Sequence, residues 1–234
     1  MQPSMAPSIN AATARVLNKL DIQLISAPQA GCCGALSYHL NAQDEGLDFV
    51  KRNIDAWWPE IEAGAEAIVM TASGCGVFVK DYGHLLRDDP DYAKKAEKVS
   101  VLCKDISEIL ITEEQSNGKF DQLQQLSSSG KLAFHPPCTL QHGQKQIGTT
   151  ESLLTRLGFD LVKVKDAHFC CGSAGTYSIT QKKLSQQLLG RKISSLLKNK
   201  PETIATANIG CLLHLQSAAG STPVVHWIQL LDDA

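Results

Sequence analysis

The sequence predicts an α/β protein of two pseudo-repeated lobes, each a mainly parallel sheet flanked by helices, with cysteine loops at the strand ends. Three observations carry this reading. Cys32-Cys33-Gly34 and Cys170-Cys171-Gly172 are the same triplet, and each is followed about forty positions later by a lone cysteine, Cys75 and Cys211. The flanking text repeats as well: Ala67 to Cys75 reads like Thr203 to Cys211, and Val16 to Ile22 parallels Leu153 to Phe159. Short apolar runs alternate with segments of helical period, the order expected of a parallel sheet whose carboxyl-end loops carry ligands.

Each element has its local reason. Ser8 or Asn10 can cap a helix to about Leu20, with Ile9, Ala12, Val16, Leu17 and Leu20 at helical spacing, before a strand at Ile22 to Ser26. The first triplet then lies in the loop after a strand. Asp44 to Ala63 reads as a helix with Leu47, Val50, Ile54, Trp57 and Trp58 on its apolar side, interrupted near Pro59. A buried strand at Ala67 to Thr71, a tight loop at Ser73 to Gly76 and a helix at Val77 to Leu86 follow. Val99 to Cys103 and Asp105 to Leu110 add a strand and a helix.

The Gln-, Ser- and Glu-rich stretch from Thr112 to Gly130 is the natural linker, which divides the chain into a first repeat at 1–114, a linker at 115–130 and a second repeat at 131–234. The second repeat predicts strands at Lys131 to Phe134 and Asp160 to Val164 and helices at Thr149 to Leu157 and Gln181 to Lys198. The segments Thr203 to Thr206, Leu212 to Ser217, Pro223 to His226 and Trp227 to Leu231 complete it.

Composition narrows the function. The 234 residues carry 22 basic and 24 acidic side chains, net −2, and neither sign forms a block, so no nucleic-acid or anionic-membrane footprint is present. No apolar run approaches the roughly 20 residues that span a bilayer, and the start has no basic segment leading into an apolar core, so a cytoplasmic protein is expected. Eight cysteines are too few for a disulfide scaffold at this length, and adjacent cysteines strain any bridge between them, so reduced thiolates around a metal are the better reading. No Gly-x-Gly-x-x-Gly run, Gly-Lys-Ser phosphate loop or Ser-His-Asp cue is present, and nothing reads as a flavin or nicotinamide site.

In the second repeat a further cysteine, Cys138 in His135-Pro136-Pro137-Cys138, precedes the triplet. The same interval counted back from Cys32 falls just before the first residue, so the first repeat is expected to lack its leading ligand, as in a shortened reading frame. Cys138, Cys170, Cys171 and Cys211 therefore form a complete candidate metal set, and Cys32, Cys33 and Cys75 an incomplete set or additional ligands. Cys103 reads as a small buried apolar residue. His135, His168 and His214 lie near the cysteine loops but fit hydrogen bonding or packing better than ligation, and His39, His84, His142 and His226 read as structural. Asp166 reads as a solvated turn carboxylate. Gly34 and Gly172 clear space beside the thiolates, while Gly31, Gly74, Gly76 and Gly210 are expected to make turns with positive φ. Four converging thiolates suit an iron-sulfur cluster and tetrahedral zinc equally.

At these residues the chain resembles the cysteine-rich CCG domain found in heterodisulfide reductases, lactate-utilisation iron-sulfur proteins and the small subunit of anaerobic glycerol-3-phosphate dehydrogenase. Met1 to Pro7, Ile9 to Leu17, Met70 to Gly76, His135 to Gly143 and Cys170 to Tyr177 are most similar to the iron-sulfur subunits of glycolate oxidases. The resemblance implies a [4Fe-4S]-type cluster and flavin-containing glycolate oxidase subunits as partners. Those subunits oxidise glycolate to glyoxylate, the iron-sulfur subunit passes electrons towards the quinone pool, and the complex sits peripherally at the inner face of the membrane. The chain is then not catalytic alone. In that family a ferredoxin-like domain with Cys-x-x-Cys-x-x-Cys-x-x-x-Cys-Pro motifs comes first, and no such motif occurs here. The family also has a cysteine directly before the segment matching Gln2-Pro3. Two other outcomes stay open: a zinc-stabilised docking module that transfers no electrons, and a folded remnant without activity.

Overall fold

A computed structural model of the chain describes residues 2–116, 120–123 and 130–232. Two helices open it, α1 (Gln2–Met5) and α2 (Pro7–Lys19). Pro7 starts α2, where its missing N–H costs nothing, and Ala6 precedes it without a side-chain cap. Ser8 and Asn10 lie inside the helix, so neither is the cap expected. Ile9, Ala12, Val16, Leu17 and Leu20 are all buried, as the helical spacing requires.

The expected strand at Ile22 to Ser26 does not form; residues 22–27 take no regular secondary structure and join no sheet. After α3 (Ala35–His39), α4 (Gln43–Glu62) continues through Pro59 without a break. Pro59 falls in the last turn, where a single forfeited hydrogen bond to Asp55 is tolerated. Next come β1 (Ile68–Met70), α5 (Ser73–Lys80), α6 (Tyr82–Leu85), α7 (Ala93–Leu102), β2 (Cys103–Asp105) and α8 (Ile106–Ser116). Ser73 to Gly76 is the first turn of α5 rather than a loop. Val99 to Leu102 is helical rather than a strand: Ala96, Val99 and Cys103 recur at three and four residues and bury one face, so the strand begins only at Cys103.

The second half follows its sequence pattern closely. It comprises β3 (Lys131–His135), a π-helical turn (Thr139–Gly143), α9 (Thr149–Arg156), β4 (Asp160–Leu161), α10 (Tyr177–Thr180), α11 (Lys182–Leu197), β5 (Thr203–Thr206), α12 (Ile209–Gln216), β6 (Val224–His226) and a 3-10 turn (Trp227–Leu231). Only Asp160 and Leu161 of the expected Asp160 to Val164 strand pair in register, with Val162 N–H adding a bond to the Leu132 carbonyl at 2.9 Å.

All pairing is parallel. The second half forms a four-stranded sheet in the order β4-β3-β5-β6, and the first half a two-stranded sheet of β1 and β2. Leu132 to His135 are buried on both faces of β3, which is what an inner parallel strand covered by helices demands. The larger core gathers this sheet with Leu153, Leu196 and Trp227, and α2 and α8 contribute to it from the first half of the chain. A smaller core joins Val50 and Ile54 of α4 to Phe78, Val79, Tyr82 and Val99. Most of the expected linker, 117–119 and 124–129, lies outside the described residues; Phe120 and Leu123 between them are buried in the larger core.

The halves meet along the first turn of α5. Ser73 N–H donates to the Ala207 carbonyl (3.2 Å), Asn208 Nδ2 donates to Ser73 Oγ (3.2 Å), and Ser73 Oγ lies 2.8 Å from Thr139 Oγ1. His226 closes the same seam. Its Nε2 lies 2.8 Å from the Thr71 carbonyl oxygen and Ile228 N–H donates to its Nδ1, a pairing that requires the neutral imidazole. Burial, opposed by the bond to Thr71, lowers its pKa from 6.5 to about 4. The unfolded chain therefore binds a proton that the folded chain refuses, and the stability His226 contributes is complete above pH 6.5 and lost as pH falls towards 4. The loss is on the order of 3 kcal/mol. Urea unfolding of wild type and His226→Gln across that window should give a gap that narrows as the pH falls; a gap independent of pH would show that the ring titrates freely in the fold.

Candidate metal centre

The carboxyl ends of three neighbouring strands deliver the second cysteine set. Cys138 follows β3, Cys170 and Cys171 follow β4, and Cys211 lies in the first turn of α12, after β5. Local rules fix each approach. Asn208 caps α12, its Oδ1 accepting from Gly210 N–H at 2.8 Å and Cys211 N–H at 3.4 Å, so Cys211 sits in a turn whose exposed amides favour negative charge. An Asn208→Ala variant loses this cap, and thermal melts should read a loss of about 1 kcal/mol.

Gly172 explains the third letter of the triplet. Its φ is +95°, and a Cβ there would stand 2.6 Å from the Ser185 carbonyl oxygen and 3.1 Å from Leu188 Cβ, so the loop is pressed against the start of α11. Gly34 repeats this with φ +91°, its Cβ meeting the Gly46 carbonyl oxygen of α4 at 2.5 Å. The positive φ expected at Gly31, Gly74, Gly76 and Gly210 is absent; the last three belong to helical first turns. Gly76 instead admits the Gln144 amide, 2.7 Å from where a Cβ would be.

The four sulfurs form an unbroken chain of contacts. Cys171 Sγ lies 3.3 Å from Cys211 Sγ, and side-chain interactions link Cys138 to Cys170 and Cys170 to Cys171. Ser173 Oγ is 3.3 Å from Cys171 Sγ and 3.9 Å from Cys211 Sγ, and Gly172 N–H donates to Cys170 Sγ at 3.2 Å. His135, fully buried at the end of β3, brings its ring to the same point: ligand atoms of His135, Cys171 and Cys211 lie within 4.8 Å of one another. Neither ring nitrogen has a conventional hydrogen-bond partner; the polar group it faces is the Cys211 sulfur.

Protons divide unevenly along this chain. Contact with Cys138, then with Cys171, pulls Cys170 down to about 2. Contact with Cys171 and then the neighbouring His135, working against burial, hold Cys211 well below the usual thiol range. Cys138 and Cys171 are driven up, first by those ionised neighbours and then by burial. Within each contact one sulfur ionises at the expense of the next, so only a cationic centre lets all four carry charge together. The set, with an orphaned imidazole beside it, fits a metal ion or cluster.

The first set is smaller. Cys33 touches Cys75, which raises the one and lowers the other, while Cys32 is exposed beside them. Asn53 and Tyr82 pin the triplet backbone: Asn53 Nδ2 donates to the Cys32 carbonyl (2.8 Å), Asn53 Oδ1 accepts from Gly31 N–H (2.8 Å), and Tyr82 Oη donates to the Cys33 carbonyl (2.7 Å). Among the described residues no sulfur contact joins the two sets. Cys103 is the buried apolar thiol expected, pushed up to about 12 by desolvation.

His168 packs edge-on against Phe169 and His214 Nε2 lies 3.2 Å from Ser185 Oγ, which itself donates to the Gly172 carbonyl, so both stand outside the sulfur cluster. Asp166 adopts φ +54°, and Lys192 donates to its carbonyl and to that of Ala167, both at 3.0 Å. Lys192, Ser173, Asn208 and Ser185 were not singled out by the sequence. Lys192 leaves one trace there, a lysine on the apolar side of a helix with Leu189, Ile193 and Leu196.

Residues 1–80 and 132–216 match the family described as CCG, a cysteine-rich domain. The chain belongs to the CCG cysteine-rich domain family. The doubled triplet and its downstream cysteines are therefore two copies of one family unit. Over its whole length the chain is 55% identical to the glycolate oxidase iron-sulfur subunit of Escherichia coli (strain K12), covering 56% of that protein. It is 30% identical over 96% of its length to the probable glycolate oxidase iron-sulfur subunit of Bacillus subtilis (strain 168), covering 51%. It is also 24% identical over 91% of its length to lactate utilization protein A of Geobacillus thermodenitrificans, covering 85%. The chain thus spans about half the length of the two glycolate oxidase subunits. Among the described residues no helix is long and apolar enough to cross a membrane.

Proposed function

We propose that this chain is the cysteine-rich part of an iron-sulfur subunit serving a 2-hydroxy-acid oxidase, with glycolate as the substrate class. The unbroken contact chain of Cys138, Cys170, Cys171 and Cys211 beside the orphaned His135 carries this reading. A bound [4Fe-4S]-type cluster would supply one-electron redox chemistry. The chain's own residues hold the thiolates: the Asn208 cap and the amide of Gly172 favour charge on sulfur, Ser173 Oγ donates to Cys211 Sγ, and Cys171 and Cys211 are buried. Cys32, Cys33 and Cys75 form a second, smaller set in the first repeat, with 1–114 and 131–234 as the two units.

Glycolate oxidation belongs in this proposal to flavin-containing partner subunits, from which electrons pass towards the quinone pool at the inner face of the membrane, in the cytoplasm. The 55% identity to a glycolate oxidase subunit favours glycolate over lactate. A zinc-stabilised docking module is the second reading, favoured by the imidazole of His135 within a sulfur set. Iron, acid-labile sulfide and zinc per chain, measured after anaerobic purification with the absorbance near 400 nm, separate the two. Matched iron and sulfide support electron transfer; zinc without sulfide sinks it.

A further inference from the structure

The two repeats hold their triplets from the same helix position with different chemistry. A Cβ at Gly34 would meet the Gly46 carbonyl of α4, and one at Gly172 would meet the Ser185 carbonyl of α11. The same number of positions further along each helix stands a buried polar side chain that ties down the cysteine loop, Asn53 of α4 and Lys192 of α11. Asn53 does so as a neutral amide, accepting from Gly31 N–H and donating to the Cys32 carbonyl. Lys192 Nζ donates to the carbonyls of Asp166 and Ala167 and brings a charge with it. Clamping the loop does not need that charge, as Asn53 shows, and burying an ammonium costs far more than burying an amide unless an opposite charge stands near.

No carboxylate supplies it. Lys192 is 2% exposed, and among the described residues no acidic side chain lies within ion-pair reach of its Nζ. Asp166 is itself exposed and meets Lys192 through its carbonyl. The negative groups at hand are sulfurs: Lys192 and Cys170 line one cavity of about 40 Å³. Burial lowers the Lys192 pKa, and the charges of Cys171, Cys170 and Cys211 oppose that fall. We propose that Lys192 is the fixed counter-charge of the second cysteine set, a positioning residue that stabilises the reduced state of the centre held there and so raises its reduction potential. The inference rests on the iron-sulfur reading above. One-electron reduction adds a negative charge to the site, and a cation kept out of water beside it acts with little screening. The first repeat, with Asn53 at the matching position, has the clamp without the charge.

Lys192→Gln separates charge from clamp, since the amide can still donate to the loop carbonyls. Wild type, Lys192→Gln, Lys192→Arg and the exposed control Lys183→Gln are purified anaerobically as the full chain, and iron and acid-labile sulfide are counted. The ratio of oxidised to reduced centre is then read by absorbance and electron paramagnetic resonance against redox mediators. At a fixed potential Lys192→Gln should shift this ratio at least tenfold towards the oxidised form, about 59 mV for one electron, with iron content unchanged. Lys192→Arg, whose larger head has the cavity beside it, and Lys183→Gln should stay within about twofold of wild type. Equal ratios in wild type and Lys192→Gln at matched iron and sulfide overturn this proposal and leave the iron-sulfur reading standing. An equal shift in Lys183→Gln also overturns it. Loss of iron in Lys192→Gln that Lys192→Arg does not share supports it, because arginine restores the charge and not the shape; loss in both overturns it. Zinc without sulfide in wild type removes the iron-sulfur reading and this inference with it.

Discussion

Cys171→Ser is expected to abolish metal binding by the second repeat, lowering iron per chain at least tenfold. The substitution is nearly isosteric, and the new hydroxyl can bond Ser173 Oγ, which lies 3.3 Å from the present sulfur, so the fold itself has little reason to change. What changes is the ligand. A serine hydroxyl remains protonated where a thiol ionises, and Cys171 is the middle of the contact chain, touching both Cys170 and Cys211. Removing it leaves Cys138 and Cys170 as a pair and Cys211 alone beside His135. Any stability the bound metal adds through linkage, about 2.7 kcal/mol at a hundredfold excess over its dissociation constant, goes with it. The melting temperature of the variant as isolated should therefore fall to that of metal-free wild type, while the two metal-free proteins melt together. Cys33→Ser provides the contrast: with no sulfur contact between the sets, it should leave the second site's metal intact. Loss of all metal in both variants would mean one shared centre, and retention in Cys171→Ser would falsify the proposed ligand set.

The second repeat was legible in the sequence because its strands are continuous apolar runs bounded by turn residues, and each pairs with strands from its own repeat. In the first repeat the same local rules misled. Ile22 to Ser26 has strand chemistry, but a strand exists only with a neighbour, and the position beside it holds a groove. Val99 to Cys103 is rich in β-branched residues, yet its burial repeats at three and four, and tertiary packing against Phe78 and Tyr82 resolves the ambiguity for helix. The cysteines of the site were visible by type and repeat. His135 was not, because its part depends on which way the end of β3 faces once β3 registers with Thr206 on β5, and a one-residue slip would have turned the ring away. Asn208 and Ser173 were hidden for a related reason: cap and loop geometry select them, and their residue types are common in any turn.

Gly172→Ala is expected to be among the most damaging single-methyl changes in the chain, costing about 2–4 kcal/mol of stability. Two terms add. Any non-glycine residue at φ +95° is strained by roughly 1–2 kcal/mol, and the new methyl would stand 2.6 Å from a backbone oxygen of α11, which cannot rotate aside as a side chain would. Gly220→Ala separates them. Gly220 has φ +63° and nothing within 4 Å of a Cβ, so it bears the strain without the collision and should lose only the smaller amount. Chemical denaturation of the three proteins reads the difference directly. The two variants should also part in metal content. Relief of the collision must move the Gly172 amide, which bonds Cys170 Sγ, and the adjoining Cys171, so Gly172→Ala should shed iron while Gly220→Ala retains it. If both variants kept metal and lost equal stability, the glycine of the triplet would answer only to its backbone angle; a larger loss together with metal release ties the third letter of Cys-Cys-Gly to the closeness with which α11 holds the two thiolates.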